Sequence, residues 1–412
     1  MRFMIVNAYG RSNRGDSVLL DECISEIKDW NENIKISGAV FNEISEISKV
    51  HPDIKWSSRI GNCNIKGLYG KFLTLVIILI AILSSFSLLS WLAYLLPKPQ
   101  RHTFLNIKKS DIVLSAPGGY IHDTNFSFYI ALLHLWLGHK FGKKVILAPQ
   151  SIGPIDGLIA RNISKFILKR CFLICARESY SYNFLKHDLH LMDDVLIRQT
   201  GDSAFWNFQV SEDNKVILDA FNEIGIKNNN NILGVTVVDW NFPKSKDLSK
   251  STENYINNMA YIIDYISENY NLTPVIFNQV SEDLIMARKV AKVCKTNVLI
   301  DSISREPDIL RAMISHSKVF LGTRFHSCIF SMMAGRPTYA IAYLPKTSFI
   351  LEDLNLSHRH INIDDIVASK VISQIEKDLD DISAAENEIK NAVNTYRNKY
   401  LRMSDLLLEY LN

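Results

Sequence analysis

KVFLGTRFHSCIFSMMAGRPTYAIAY, residues 318–343, holds the reading on which the fold turns. A short aliphatic run, KVFL, stops at Gly322, and the apolar stretch HSCIFSMMA follows. Gly335 and Pro337 break that stretch before a second aliphatic run ending at Tyr343. The two runs read as β-strands and the stretch between them as a helix, the repeating unit of a parallel sheet. Arg324 and His326 fall at the strand-to-helix junction, where free helix amides favour an anion. Residues two apart point opposite ways in regular structure, so both face one ligand only through an irregular turn, which Gly322 permits. A planar guanidinium suits a carboxylate or phosphate, and an imidazole moves protons near neutral pH. The alternative is a capping histidine beside a structural arginine.

The same alternation extends in both directions. FMIVNAY (3–9), DIVLSAP (111–117), KVILAPQS (144–151) and FLICARE (172–178) are strand-like, with helical patterns over 15–30, 128–141 and 158–170. ILGVTVVDW (232–240), TPVIFNQ (273–279) and NVLIDS (297–302) repeat the logic, with helices over 255–269, 284–294 and 307–317. The pattern predicts an α/β chain of two Rossmann-like domains, 1–215 and 228–375, joined near 210–230, where KNNNN (227–231) is a loop by composition. A helical tail, 378–412, has a route back onto the first domain.

With 412 residues, 47% of them hydrophobic, the chain can fill two cores. A net charge of +3 with no basic tract gives no reason to expect nucleic acid as a partner. Six cysteines with neither a C-x-x-C pair nor a Cys/His quartet argue against a zinc site or a disulfide framework, so no metal is expected. The first residues read as a strand and not as a signal peptide.

One segment departs from this pattern. FLTLVIILIAILSSFSLLSWLAYLL, residues 72–96, contains no charge. Lys66 and Lys71 precede it, and Lys98, Arg101, Lys108 and Lys109 follow, so both ends favour the cytoplasmic side. Four serines split it into legs too short for two spans of about 20 residues each. A hydrophobic hairpin insert dipping into the membrane is expected, placing the protein in the cytoplasm, peripheral or re-entrant at the inner face; a buried helix pair is the alternative.

Ligands of parallel sheets bind beyond strand carboxyl ends. After the first strand come Gly10, Asn13, Gly15 and Asp16, a glycine-bearing turn into a helix that lacks the G-x-G-x-x-G spacing. Gly118 and Gly119 end a later strand, with Asp123 either reaching an acceptor hydroxyl or capping a helix. Gln150 and Ser151 end another, and Arg177 and Glu178 a fourth.

The order of NRGDSVLL (13–20), PGGYIHD (117–123), APQSIGPI (148–155), ARESYSYNFL (176–185), GDSAF (201–205) and the long segment 322–354 resembles the polysaccharide pyruvyl transferase family. Arg-x-His, then Gly-x-Pro, then Tyr-x-x-Lys ending at Lys346 is the most specific part. The resemblance implies a GT-B-like fold and transfer of pyruvate from phosphoenolpyruvate onto two hydroxyls of a sugar, with no cofactor. It assigns donor binding to Arg177 and Arg324 and catalysis to His326. The insert is not a general signature of that family; a dipping hairpin would suit a lipid-linked oligosaccharide acceptor. Asp123 is the expected hydroxyl base. Gly118, Gly119, Asn13, Asp16, Gln150 and Lys346 are expected around the substrates.

Two rivals stand beside this reading. A GT-B glycosyltransferase using a nucleotide sugar would want a ribose-binding glutamate near Ser331, and no acid occurs between His326 and Gly335. A non-catalytic membrane-associated scaffold would bind no phosphoenolpyruvate.

Overall fold

Side chains on β1 (Arg2–Ala8) alternate between two cores: Phe3 and Ile5 join one buried cluster, Met4 and Val6 the other. That is the signature of a strand covered on both faces, and the apolar runs read in the sequence have this cause. The computed structural model describes residues 1–63, 65, 67–191, 195–206, 214–226 and 231–411. The chain divides into two compact units: Met1–Ser12, Asp16–Ser203 and Tyr400–Asn412 form one, Asn13–Gly15 and Ala204–Lys399 the other.

The first unit is built on an eight-stranded sheet. After β1 come β2 (Lys35–Val40), β3 (Lys55–Ser58), β4 (Ile112–Ser115), β5 (Gly118–Ile121), β6 (Lys144–Ile152), β7 (Leu173–Ala176) and β8 (Leu196–Gln199). The order is β3-β2-β1-β4-β6-β7-β8, with β5 pairing the far end of β6, and all the pairings are parallel. The order reverses between β1 and β4, the place where such sheets open a crevice.

The second unit holds β9 (Ile232–Thr236), β10 (Thr273–Phe277), β11 (Leu299–Asp301), β12 (Ser317–Gly322), β13 (Thr338–Ala342) and β14 (His360–Asn362). They lie parallel in the order β11-β10-β9-β12-β13-β14, reversing between β9 and β12. Leu233, Val235, Val319 and Leu321 are fully buried against the helix Leu248–Tyr270 and its neighbours. Each such side chain contributes about 1.5–3 kcal/mol by leaving water.

Of the joining region 210–230, residues 214–226 are described and hold the helix Asn214–Glu223, while 210–213 and all of the KNNNN loop but Asn231 lie outside the described residues, as does Lys66. Helices Ala368–Asp380 and Ile382–Lys399 belong to the second unit, while Met403–Leu411 belongs to the first. There Met403, Leu406 and Leu407 share a core cluster with Phe3 and Ile5.

The apolar segment begins as a helix at Gly67 and runs to Ser84, followed by a 3-10 stretch, Ser87–Leu95. Ser84 and Ser85 interrupt it by donating to the carbonyls of Ile80 and Ile82, at 2.6 and 2.7 Å. Ala81, Ala93 and Leu96 enter the first unit's core. The opposite side is bare: Leu68 and Leu88 are 85% and 90% exposed. With a mean hydropathy of 2.1, Gly67–Ser84 is long and apolar enough to cross a membrane.

Candidate functional site

In the second unit, polar side chains collect at the carboxyl ends of neighbouring strands. β12 ends at Gly322, where a Cβ would lie 2.4 Å from Sγ of Cys328 and 2.8 Å from the Phe320 ring. Glycine is required here for space; its φ is not in the left-handed region. The backbone amides of Thr323 and Arg324 donate to Oγ1 of Thr236, at the end of β9, at 3.1 and 3.2 Å. Arg324 stays extended (φ −79°, ψ 121°), and the helix Phe325–Met333 starts one residue later. This change of backbone state is the irregular turn anticipated for Arg324 and His326.

The Arg324 guanidinium is held by Asp283, Nε to Oδ2 at 2.7 Å and Nη2 to Oδ1 at 2.6 Å. Burial works against its charge, but the Asp283 bonds outweigh burial and hold the pKa above its ordinary value. Burial pushes the Asp283 carboxyl up, with Arg324 opposing. The Tyr343 ring, just after β13, lies 6.0 Å from the guanidinium. His326 is 6% exposed, its ring edge-on to Phe325 at 4.9 Å between centroids. Nζ of Lys346 lies 5.3 Å from the same Phe325 ring, so Arg324, His326 and Lys346 surround one short turn.

In the first unit, Arg177 follows β7 and is buried between carboxylates. Nε meets Glu178 at 3.2 Å, Nη1 meets Asp202 at 3.2 Å, and Nη2 bonds the Ser151 hydroxyl. Burial raises the Glu178 pKa, with Arg177 opposing. Gly119 lies beside the guanidinium, and a Cβ there would make only an ordinary 3.5 Å contact with Nη2 of Arg177. Gly118 has φ +155°, outside the range most side chains accept. Gln150 is fully buried beneath this loop, its amide donating to Ala116 O and, at 2.7 Å, to Tyr120 Oη. It braces the glycines from below.

Asn13 and Asp16 open the helix Arg14–Trp30: Oδ1 of Asn13 accepts from the Gly15 amide at 3.1 Å, and Asp16 lies in the first turn. Asp123 holds down the turn that leads into a later helix. Its Oδ2 accepts from the amides of Asp156 and Gly157 at 3.0 and 2.7 Å, ahead of the helix Leu158–Leu168.

Asp283 and Arg59 were not picked out by the sequence reading. Asp283 opens the helix Asp283–Val293, six residues beyond the end of β10, and nothing in its own stretch of sequence marks its pairing with Arg324. Arg59 follows β3, is 8% exposed, and stacks on Phe41 at 3.9 Å. Its Nη2 reaches the Ser127 hydroxyl at 3.5 Å, while Nε has no hydrogen-bond partner among the described residues. Burial lowers its pKa. Nearby, the Ile60 amide donates to Nε2 of His134 at 3.1 Å, which leaves the proton on Nδ1 to bond Oδ1 of Asn7 at 2.9 Å. Burial lowers the His134 pKa to about 3, keeping this tie neutral.

The family model for polysaccharide pyruvyl transferase matches residues 23–345. Among solved structures, UDP-GlcNAc 2-epimerase from Neisseria meningitidis bound to UDP-GlcNAc is 14% identical with a TM-score of 0.62, covering 100% of this chain and 99% of that one. UDP-GlcNAc 2-epimerase from Methanocaldococcus jannaschii is also 14% identical, with a TM-score of 0.56 over 91% and 92% of the two chains. A glycosyltransferase from Rickettsia africae is 11% identical, with a TM-score of 0.60 over 99% and 96%. These likenesses show the fold, that of the GT-B glycosyltransferases and epimerases.

Proposed function

The chain belongs to the polysaccharide pyruvyl transferase family, and from that premise we propose that it moves pyruvate from phosphoenolpyruvate onto two hydroxyls of a sugar in a lipid-linked cell-surface repeat unit. The observation that carries this reading is the turn after β12, where Arg324 and His326 lie together within the stretch most specific to the family. The donor has a carboxylate and a phosphate. Arg324, held by Asp283, is a guanidinium suited to one of those groups, and the family resemblance assigns donor binding to Arg177 as well. Lys346 adds a mobile positive charge beside His326.

The chemistry balances as follows. His326, protonated, gives its proton to the methylene carbon of phosphoenolpyruvate, leaving an oxocarbenium-like C2. One sugar hydroxyl forms a C2–O bond and loses its proton to Asp123, through the Oδ1 that the Asp156 and Gly157 amides leave unused. The second hydroxyl then bonds C2 as the C2–O–phosphate bond breaks. Phosphate departs with the electron pair and takes the proton held by Asp123, and the second hydroxyl proton returns to His326. General acid catalysis of this kind contributes about 10²–10⁴-fold. Arg59, a buried cation that meets no carboxylate among the described residues, suits an anionic group of the acceptor.

Incubation with phosphoenolpyruvate and lipid-linked glycans, followed by mass measurement, tests the proposal. An added pyruvate ketal with release of phosphate is expected, and His326→Ala should abolish it without changing the melting temperature. Wild-type turnover in that variant would overturn the assignment. The nucleotide-sugar rival is disfavoured by Ser331, which is fully buried with its hydroxyl bonded to Thr338 at 2.8 Å. It predicts thermal stabilisation by UDP and none by phosphoenolpyruvate, the opposite of what is expected here.

A further inference from the structure

The exposed apolar surface of the first unit does not end with the insert. On the helix Leu158–Leu168, Leu158 and Ile159 are 79% and 75% exposed, with Ile163 and Phe166 continuing the stripe one turn at a time. The opposite side of the same helix, Ala160, Ser164, Ile167 and Leu168, is buried, so the helix has an inner apolar face and an outer one. Ile78 and Ile82 of the insert, Tyr129 and Trp136 of the helix Ser127–Lys140, and Ile163 and Phe166 line one shallow groove of about 460 Å³. Three helices therefore contribute neighbouring exposed apolar side chains, the kind of clustering that marks an interaction surface.

Charge indicates what covers it. The segments that build this surface, 54–110, 124–155 and 157–177, contain no aspartate or glutamate at all. They do contain Lys71, Lys98, Arg101, Lys140, Lys165, Lys169 and Arg170, in a chain whose total charge is only +3. Several of these cations lie over rings at the apolar margin: Lys140 over Phe86 at 4.2 Å, Arg101 over Tyr94 at 5.4 Å and Arg170 over Phe166 at 3.8 Å. Apolar side chains at the centre with basic side chains and aromatic rings at the rim form the pattern of a protein seated in one leaflet of an anionic bilayer.

We propose that the helix Leu158–Leu168 is a second membrane-inserting element, which with the insert forms a single monotopic face for anionic phospholipid. This deepens the lipid-linked reading of the acceptor but is read out without donor, acceptor or turnover, so either can fail alone.

The test is co-sedimentation of the full-length protein with phosphatidylcholine vesicles, with and without a quarter phosphatidylglycerol. The double variant Leu158→Glu/Ile159→Glu changes only well-exposed side chains, and an unchanged melting curve confirms its fold. Wild-type protein is expected to pellet at least tenfold better with the anionic vesicles, and the double variant to lose at least tenfold of that binding. Lys165→Glu/Lys169→Glu should lose binding to anionic vesicles only, and added salt should weaken the wild type. Binding by the double variant equal to wild type would overturn the proposal, because the insert alone would then suffice. So would a wild type that ignores vesicles, or one that dimerises in their absence through these residues. Equal binding to neutral vesicles would overturn the anionic part.

Discussion

Asp283 takes up Nε and Nη2 of Arg324, and Tyr343 hydrogen-bonds the same side chain, so the guanidinium is fixed in one orientation. Charge-assisted bonds of this type are worth about 1.5–3 kcal/mol each, and the pair is nearly buried. Asp283→Asn keeps the volume and loses the fork, but it also removes an anion beside an anionic donor. The two effects oppose each other in binding and not in alignment. We therefore expect kcat/KM for phosphoenolpyruvate to fall about 10–100-fold, chiefly in kcat, with a small change in donor KM. A pure KM effect would refute the positioning role. Arg59 presents the opposite case. Its charge is buried with no carboxylate partner among the described residues, a costly arrangement of which the Phe41 stack returns about 1 kcal/mol. Arg59→Met should leave the melting temperature unchanged or raise it, while acceptor KM rises at least tenfold and donor KM stays put. Unchanged acceptor KM would show the residue to be structural. Arg324 and His326 were legible because a glycine after an aliphatic run marks a strand end. Asp283 was not, since its pairing joins positions 41 residues apart that only the sheet order brings together.

At the scale of elements, the central strands were legible, and of the outer strands only β11 was. β1, β4, β6, β7, β9, β10, β12 and β13 are covered on both faces and read as apolar runs. β2, β3, β8 and β14 flank the sheets, mix polar residues such as Lys35, Lys55, Arg198 and Asn362 into short runs, and went unread. Asp123 shows the same limit: whether it met a ligand or a helix start depended on amides 33 and 34 residues away. One contact between elements carries a pH dependence. Glu26, in the helix Arg14–Trp30, accepts from the Ser404 amide at 2.8 Å, at the start of the helix Met403–Leu411. Burial raises its pKa to about 7, with the Ser404 bond opposing. The unfolded chain releases this proton near pH 4.5. Between those values the folded state holds one proton more than the unfolded state, so stability falls as pH rises through the window and levels off above it. The full span corresponds to about 3 kcal/mol. Glu26→Gln still accepts from Ser404 and cannot ionise. It should melt higher than wild type at pH 8 and alike at pH 4.5, as followed by circular dichroism. A pH-independent difference would remove Glu26 as the cause.

At the scale of the whole molecule, the doubly wound α/β architecture followed from the strand–helix alternation alone, because each unit repeats it around its own core. The last helix of the chain was harder to place. Its amphipathic pattern announces a helix that buries one side, but a pattern of that kind is satisfied by any apolar surface within reach. Only the contacts with Phe3, Ile5 and Leu114 assign it to the first unit. Met403, Leu406 and Leu407 are completely buried there, and at about 1.5–3 kcal/mol each their removal from that core costs about 6 kcal/mol. Tyr400 and Tyr410 add hydrogen bonds to Gln199 and Arg198 on the edge strand β8, at 2.9 and 2.6 Å. A loss of that size matches the whole stability of an ordinary domain. A chain ending at Lys399 should therefore lose the first unit's cooperative melting transition while the second unit, which keeps its sheet and the helices Ala368–Asp380 and Ile382–Lys399, still melts near its original temperature. Calorimetry of the two chains, with amide exchange on Val6 and Leu321 as reporters of the two cores, separates the outcomes. Loss of protection at Val6 with retention at Leu321 is expected. Protection kept at both would mean that the helix is dispensable, and protection lost at both would mean that the two cores do not fold independently.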